Sequence, residues 1–278
     1  MTNVIYAVAV LGLLGAFFGL VLAYAARKFA VETDERQQQV AEALPGANCG
    51  GCGYAGCAAY AAAIVKDGAP ANLCVAGGSQ VAAAISEIMG VESEEMERCV
   101  AHVRCSGRTG IAREKFEYDG IPDCVAAMRL GGGQGFKECP ASCLGLGTCV
   151  KACQFDAIHI IDGVAVVDRE KCVGCMACAE ACPKNVIEKI PYSANITVPC
   201  NSLDKGPVVR KYCDVGCIAC KMCERVCEYD AIHVTDNLAR IDYDKCTSCG
   251  KCVEKCPRSI ILDIRTGMEA REPLKADE

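Results

Sequence analysis

Read for hydrophobic and polar positions, the chain is made of three materials. The first, Val4–Ala26 (VIYAVAVLGLLGAFFGLVLAYAA), carries no charge and is long enough for a helix to cross a bilayer. It lacks the basic leader and short apolar core of a cleaved signal, so it predicts a transmembrane helix over 1–28. Gly15 and Gly19 give that helix a small-xxx-small packing face. Arg27 and Lys28 follow at once, and the positive-inside rule then puts everything after them on the cytoplasmic side of a plasma or inner membrane. The second material, rich in Glu and Gln, runs to Leu44. It favours a helix that Pro45-Gly46 ends, which predicts a stalk over 29–47.

The third material begins at residue 48 and repeats itself. AIHIIDGVAVVDREKC (157–172) aligns without gaps to AIHVTDNLARIDYDKC (231–246) at an offset of 74, with eight of sixteen positions identical. Each block reads as two short strands around a turn, Asp162-Gly163 in one and Asp236-Asn237 in the other. His159 and His233 occupy the same place in both and read as strand residues. A cysteine run precedes each block and another follows it.

Those runs dominate the composition: 25 of 278 residues are Cys, and there is no Trp. The count is odd and most cysteines sit two residues apart, a spacing that converges on a metal and makes poor disulfide partners. A core so lean in aromatics needs inorganic cross-links. The formal charge is −6, and with no basic run this excludes a nucleic-acid binder. Three His residues leave little for acid–base catalysis, and no catalytic residue stands out. GGGQG at 131–135 lacks the strand, helix and Lys-Ser/Thr context of a phosphate loop and reads as a flexible connector.

KCVGCMACAEACPKN (171–185) and KCTSCGKCVEKCPRS (245–259) carry the C-x2-C-x2-C-x3-C-P run of bacterial ferredoxins. There three cysteines wrap one cubane, and the fourth ligates its neighbour. In the second repeat Cys217, Cys220, Cys223 and Cys256 form one expected set; Cys246, Cys249, Cys252 and Cys227 form the other. In the first repeat Cys172, Cys175, Cys178 and Cys153 form an ordinary set. The other run is irregular, with Leu146 where the repeat has Cys220; Cys139 is expected to join Cys143, Cys149 and Cys182. Upstream, NCGGCGYAGC supplies Cys49, Cys52 and Cys57, with Cys74 seventeen residues on, a pattern that suits a self-contained cubane. Structural zinc is the competing reading, although zinc usually takes two separated C-x2-C pairs.

These sets use twenty cysteines, enough for five [4Fe-4S] clusters. Cys99, Cys105, Cys124, Cys200 and Cys213 remain. Cys105, Cys124, Cys200 and Cys213 could make a sixth if the two irregular segments holding them meet in space. Cys99 lies in a helix-like stretch and reads as an ordinary buried thiol. The expected fold class is thus α+β: the transmembrane helix, a small [4Fe-4S] domain at 48–92, a connector at 93–135, and two tandem two-cluster ferredoxin-like modules. The modules fall at 136–195 and 213–266, with an insert at 196–212 between them and a tail at 267–278.

An uncharged N-terminal span, then the Cys49–Cys74 element, then ferredoxin modules: this order resembles the B subunits of Rnf complexes, the ion-translocating ferredoxin:NAD+ oxidoreductases. The CLGLGTCVKAC stretch at 143–153 adds to the likeness, which covers nearly the whole chain. Shorter members carry a single two-cluster module, so the second module here implies a longer wire. The resemblance implies a translocase subunit that takes electrons from soluble ferredoxin and passes them to the membrane and NAD-binding subunits. Its partners would be ferredoxin, the other subunits and the lipid bilayer. A tethered polyferredoxin serving another redox enzyme, or reducing a redox-sensing regulator, is the alternative. Because soluble ferredoxins are typically acidic, Lys205, Arg210 and Lys211, with Lys221 and Arg225 beyond them, are the candidate docking charges.

Overall fold

The computed structural model describes residues 2–28, 34–92, 96–130 and 132–266; the expected tail, 267–278, lies outside them. Helix α1 spans Thr2–Lys28. Among the described residues no helix is long and apolar enough to cross a membrane. This corrects the expected transmembrane anchor and, with it, the single-pass localisation.

Helix α2, Glu35–Ala43, starts at an Asp34 cap whose carboxylate accepts from the Arg36 N–H. It does not stand free as a stalk. Val40 and Leu44 are buried in one cluster with Tyr60, Ile64 and Ile85, which joins α2 to α3 (Cys57–Asp67) and α4 (Gly78–Met89). Both later helices end on a left-handed glycine, Gly68 and Gly90.

Strand β1, Cys99–Val103, follows. The helix expected around Cys99 is therefore a strand, because its partner lies far along the chain. Short helices α5 (Cys124–Met128) and α6 (Thr148–Ala152) lead to the hairpin β2–β3 (Ile158–Ile161, Val164–Val167). Next come α7 (Ala177–Glu180) and β4 (Ile187–Pro191), which pairs antiparallel with β1. Strand β5 (Ile196–Thr197) precedes α8 (Gly206–Tyr212) and α9 (Met222–Val226). The second hairpin is β6–β7 (Ile232–Thr235, Leu238–Ile241), followed by α10 (Lys251–Glu254) and β8 (Leu262–Asp263), the partner of β5.

Both hairpins turn where the repeat predicts, through two consecutive left-handed residues: Asp162 and Gly163 in one, Asp236 and Asn237 in the other. This is the type I′ geometry that matches strand twist. His159 sits opposite Val166 and His233 opposite Arg240, equivalent strand positions in both repeats. Each repeat also draws an edge strand from the segment before it, β1 for the first and β5 for the second. The apolar faces of the hairpins pack on cysteine-rich cores, Ile158 and Val164 in one and Ile232 and Leu238 in the other.

Candidate iron–sulfur centres

In the N-terminal domain the glycine-flanked loop 49–53 carries Cys49 and Cys52, and Cys57 opens α3. The Cys57 N–H donates to Asn48 Oδ1 at 2.8 Å, closing the loop on the helix. The Tyr60 hydroxyl donates to Pro70 O at 2.6 Å and accepts from the Leu73 N–H at 3.0 Å, which holds the segment bearing Cys74 against α3. Burial raises the Cys74 thiol, and so do the neighbouring Cys57, Cys52 and Cys49.

The regular runs behave alike. Burial pushes Cys178 up to about 12, assisted by Cys172, Cys175 and Cys153. It does the same for Cys223, whose charged neighbours are Cys217, Cys256 and Cys220. Cys252 is pushed up to about 11 by burial, then by Cys246, Cys249 and Cys227. In the second repeat the two quartets line separate pockets. The Ala157 N–H donates to Cys153 Sγ at 3.4 Å, and its counterpart Ala231 donates to Cys227 Sγ at 3.3 Å. The Ala101 N–H of β1 donates to Cys172 Sγ at 3.4 Å.

In the irregular run burial pushes Cys149 up to about 12, with the Cys143, Cys124 and Cys182 thiols adding to the shift. Cys124 is brought there by a local clamp: its N–H donates to Thr148 Oγ1 at 2.7 Å, and Thr148 Oγ1 donates to Asp123 Oδ2 at 3.2 Å. Asp123 also caps α5 through the Ala126 N–H at 2.8 Å. Burial also pushes Cys139 up to about 12, with Cys105 and Cys213 adding to the shift. The sequence offered Cys124, in the connector, as a candidate ligand of a sixth cluster. Cys99 lies on β1 with its thiol toward Glu97 O at 3.6 Å.

A zinc ion needs four donors about 2.3 Å from a single point. Among the described residues no three His, Cys, Asp or Glu side chains converge in that way. The two quartets of the second repeat instead line separate pockets, and Cys153, Cys172 and Cys227 receive backbone N–H groups at sulfur, which suits a bulkier thiolate-bound cluster. The depressed acidity of these thiols has a simple origin: a thiolate is costly in a buried quartet unless iron neutralises it.

Thiol quartets built around repeated ferredoxin-like hairpins define an iron–sulfur electron-transfer protein holding several [4Fe-4S] clusters. Family models described as "Putative Fe-S cluster", "4Fe-4S binding domain" and "4Fe-4S dicluster domain" match residues 44–76, 165–188 and 216–260. The chain is 47% identical to the B subunit of the Na(+)-translocating ferredoxin:NAD(+) oxidoreductase complex of Acetobacterium woodii, over 96% of this chain and 80% of that one. It is 45% identical to the B subunit of the ion-translocating oxidoreductase complex of Methanosarcina acetivorans, over 92% and 97% of the two chains. Against the B subunit of the proton-translocating ferredoxin:NAD(+) oxidoreductase complex of Clostridium ljungdahlii it is 44% identical, over 99% and 98%. The chain belongs to this family, the B subunits of the Rnf-type ion-translocating oxidoreductase complexes. It is a redox subunit of a translocase complex.

Proposed function

We propose that the chain accepts electrons from reduced ferredoxin and relays them toward the NAD-reducing and other subunits of the complex. The observation that carries this reading is the pair of pockets in the second repeat, each lined by four cysteines. A [4Fe-4S] cluster bound there supplies one-electron chemistry at low potential. The chain supplies the thiolates, excludes water and aims backbone N–H groups at sulfur. Such bonds stabilise the more negative, reduced state and so raise the potential.

Five ligand sets follow. Cys49, Cys52, Cys57 and Cys74 serve the N-terminal domain. Cys153, Cys172, Cys175 and Cys178 form the second set. Cys124, Cys143, Cys149 and Cys182 form the third, with Cys124 in place of Cys139 on the strength of its position beside Cys149. Cys217, Cys220, Cys223 and Cys256 form the fourth, and Cys227, Cys246, Cys249 and Cys252 the fifth. The test is iron and acid-labile sulfide on anaerobically purified protein, with absorption followed as reduced ferredoxin is added. At least about twenty irons per chain, and bleaching of the visible band by ferredoxin, are expected. A colourless protein with a few zinc ions, or one that ferredoxin does not bleach, would sink the reading.

A further inference from the structure

Cys105, Cys139, Cys200 and Cys213 come from four separate segments, and none lies within the residues matched by the iron–sulfur family models. The fold brings them together. Ala112 bridges Cys213 in antiparallel fashion, and the Arg113 N–H donates to Tyr212 O at 2.8 Å, tying the connector to the end of α8. All four cysteines line one pocket, as each quartet of the second repeat lines its own.

The cavity has the trappings of those sites. The Gly107 N–H donates to Cys105 Sγ at 3.3 Å and the Cys217 N–H to Cys200 Sγ at 3.4 Å. A Cβ at Gly107 would stand 3.4 Å from Cys105 Sγ, and one at Gly216 would stand 3.6 Å from Cys213 Sγ, so bare backbone comes close to both sulfurs. The surroundings are cationic. Lys137 is only 1% exposed, and its Nζ donates to Gly107 O and Gly163 O at 2.9 Å each, with no carboxylate partner among the described residues. Arg258 donates to Cys213 O at 2.7 Å. A buried ammonium held only by carbonyls calls for a nearby anion. Four neutral core thiols provide none, whereas a thiolate-bound cubane carries about −2.

We propose that Cys105, Cys139, Cys200 and Cys213 hold a further [4Fe-4S] cluster seated between the two ferredoxin-like repeats. The proposal rests on the five-set reading above and closes its one gap. Cys217, a ligand of the fourth set, donates its N–H to Cys200, while Cys143 of the third set has Cys105 beside it. At the far end a Cβ on Gly51, between Cys49 and Cys52, would meet Cys175 Cα and Cβ at 3.1 Å. The six sets therefore form one unbroken series from the N-terminal domain through both repeats. Without the bridging set, the series divides in two.

The test compares full-length wild-type protein with Cys105→Ser/Cys200→Ser and Cys139→Ser/Cys213→Ser, all purified anaerobically, by iron, sulfide and low-temperature paramagnetic resonance of the reduced state. The wild type should hold about 24 irons, and each double variant should lose about one-sixth of them and the spin of one cluster. Cys99→Ser should lose none. A wild type with about twenty irons and double variants that keep all of them would overturn the bridge while leaving the five-set reading intact. Should a double variant fail to fold, the wild-type count still decides, about 24 for the bridge and about twenty against it. A wild type well below twenty would overturn the five-set reading and the bridge together.

Discussion

Gly145 offers a test of how tightly the irregular run is fitted. It sits at φ +70°, and a Cβ placed there would stand 2.2 Å from the Gly163 carbonyl oxygen and 2.4 Å from its carbon. The obstacle is backbone at the tip of β2–β3, so no rotamer change relieves it. Gly147, two residues on, sits at φ +80°, and its Cβ would meet only Ile160 Cγ1, at 3.9 Å. The two alanine variants therefore separate backbone strain from collision. Gly147→Ala should cost about 1–2 kcal/mol for the left-handed conformation alone. Gly145→Ala adds about 1–3 kcal/mol of overpacking, for a total of about 2–5 kcal/mol. It also pushes on the carbonyl that accepts from Lys137 Nζ. The assay is thermal unfolding of the cluster-loaded protein under anaerobic conditions at one fixed scan rate. Gly145→Ala should lower Tm by roughly 5–15 °C and Gly147→Ala by roughly 2–6 °C. Equal losses in the two variants would refute the close approach of the run to the hairpin tip.

Two further outcomes are expected. Lys205, Arg210 and Lys211 are exposed around α8 and make no ion pair among the described residues, whereas Lys221 is already engaged by Glu224 at 3.6 Å. Reversing the first three to Glu should raise the apparent KM for ferredoxin roughly tenfold at low salt, with iron content and reduction by a small uncharged donor unchanged; a wild-type KM across salt concentrations would place the docking charges elsewhere. Burial, then the Arg169 and Arg104 guanidinium groups, hold His102 down at about 3 from its ordinary 6.5. The folded state thus binds fewer protons, so this contribution to stability is complete above about pH 6.5 and is lost as pH falls toward 3. Between pH 7 and pH 5 the wild type should lose about 2 kcal/mol more than His102→Gln in urea titrations; parallel pH profiles would show that His102 protonates freely.

The parts of the fold that sequence exposed are those written in consecutive residues. The Asp162-Gly163 and Asp236-Asn237 turns announce hairpins because they supply two left-handed positions between apolar runs. The C-x2-C spacing announces cluster loops because so short a span admits little else. What escaped depends on pairings across long separations. Cys99 reads as helix until β4, some ninety residues on, is seen to make its segment a strand. Cys124 opens a short helix and Cys139 lies in irregular chain, and nothing local tells where the fold carries either; the Thr148 clamp on Cys124 and the approach of the connector to α8 near Cys139 do so. The N-terminal apolar run is a different case: its composition predicted an anchor, and among the described residues no helix is long and apolar enough to cross a membrane. The polar run after it looked like a spacer, yet Val40 is among the most deeply buried residues of the chain.

The borrowed edge strands decide where this protein can be divided. A fragment begun at residue 213 would contain every cysteine of the fourth and fifth sets, but β8 would have lost β5, and Ile264 would have lost the bond its N–H makes to Asn195 O at 3.0 Å. Its bare edge would be free to pair with another copy. Begun at about residue 193, the same fragment carries its own closing strand. The first repeat likewise cannot be shortened to 136–195, because β4 closes on β1 at 99–103. The stretches that look like connector and insert supply the outer strands of the repeats they precede, and the smallest portions that can be expressed as folded pieces begin well upstream of their first regular cysteine run.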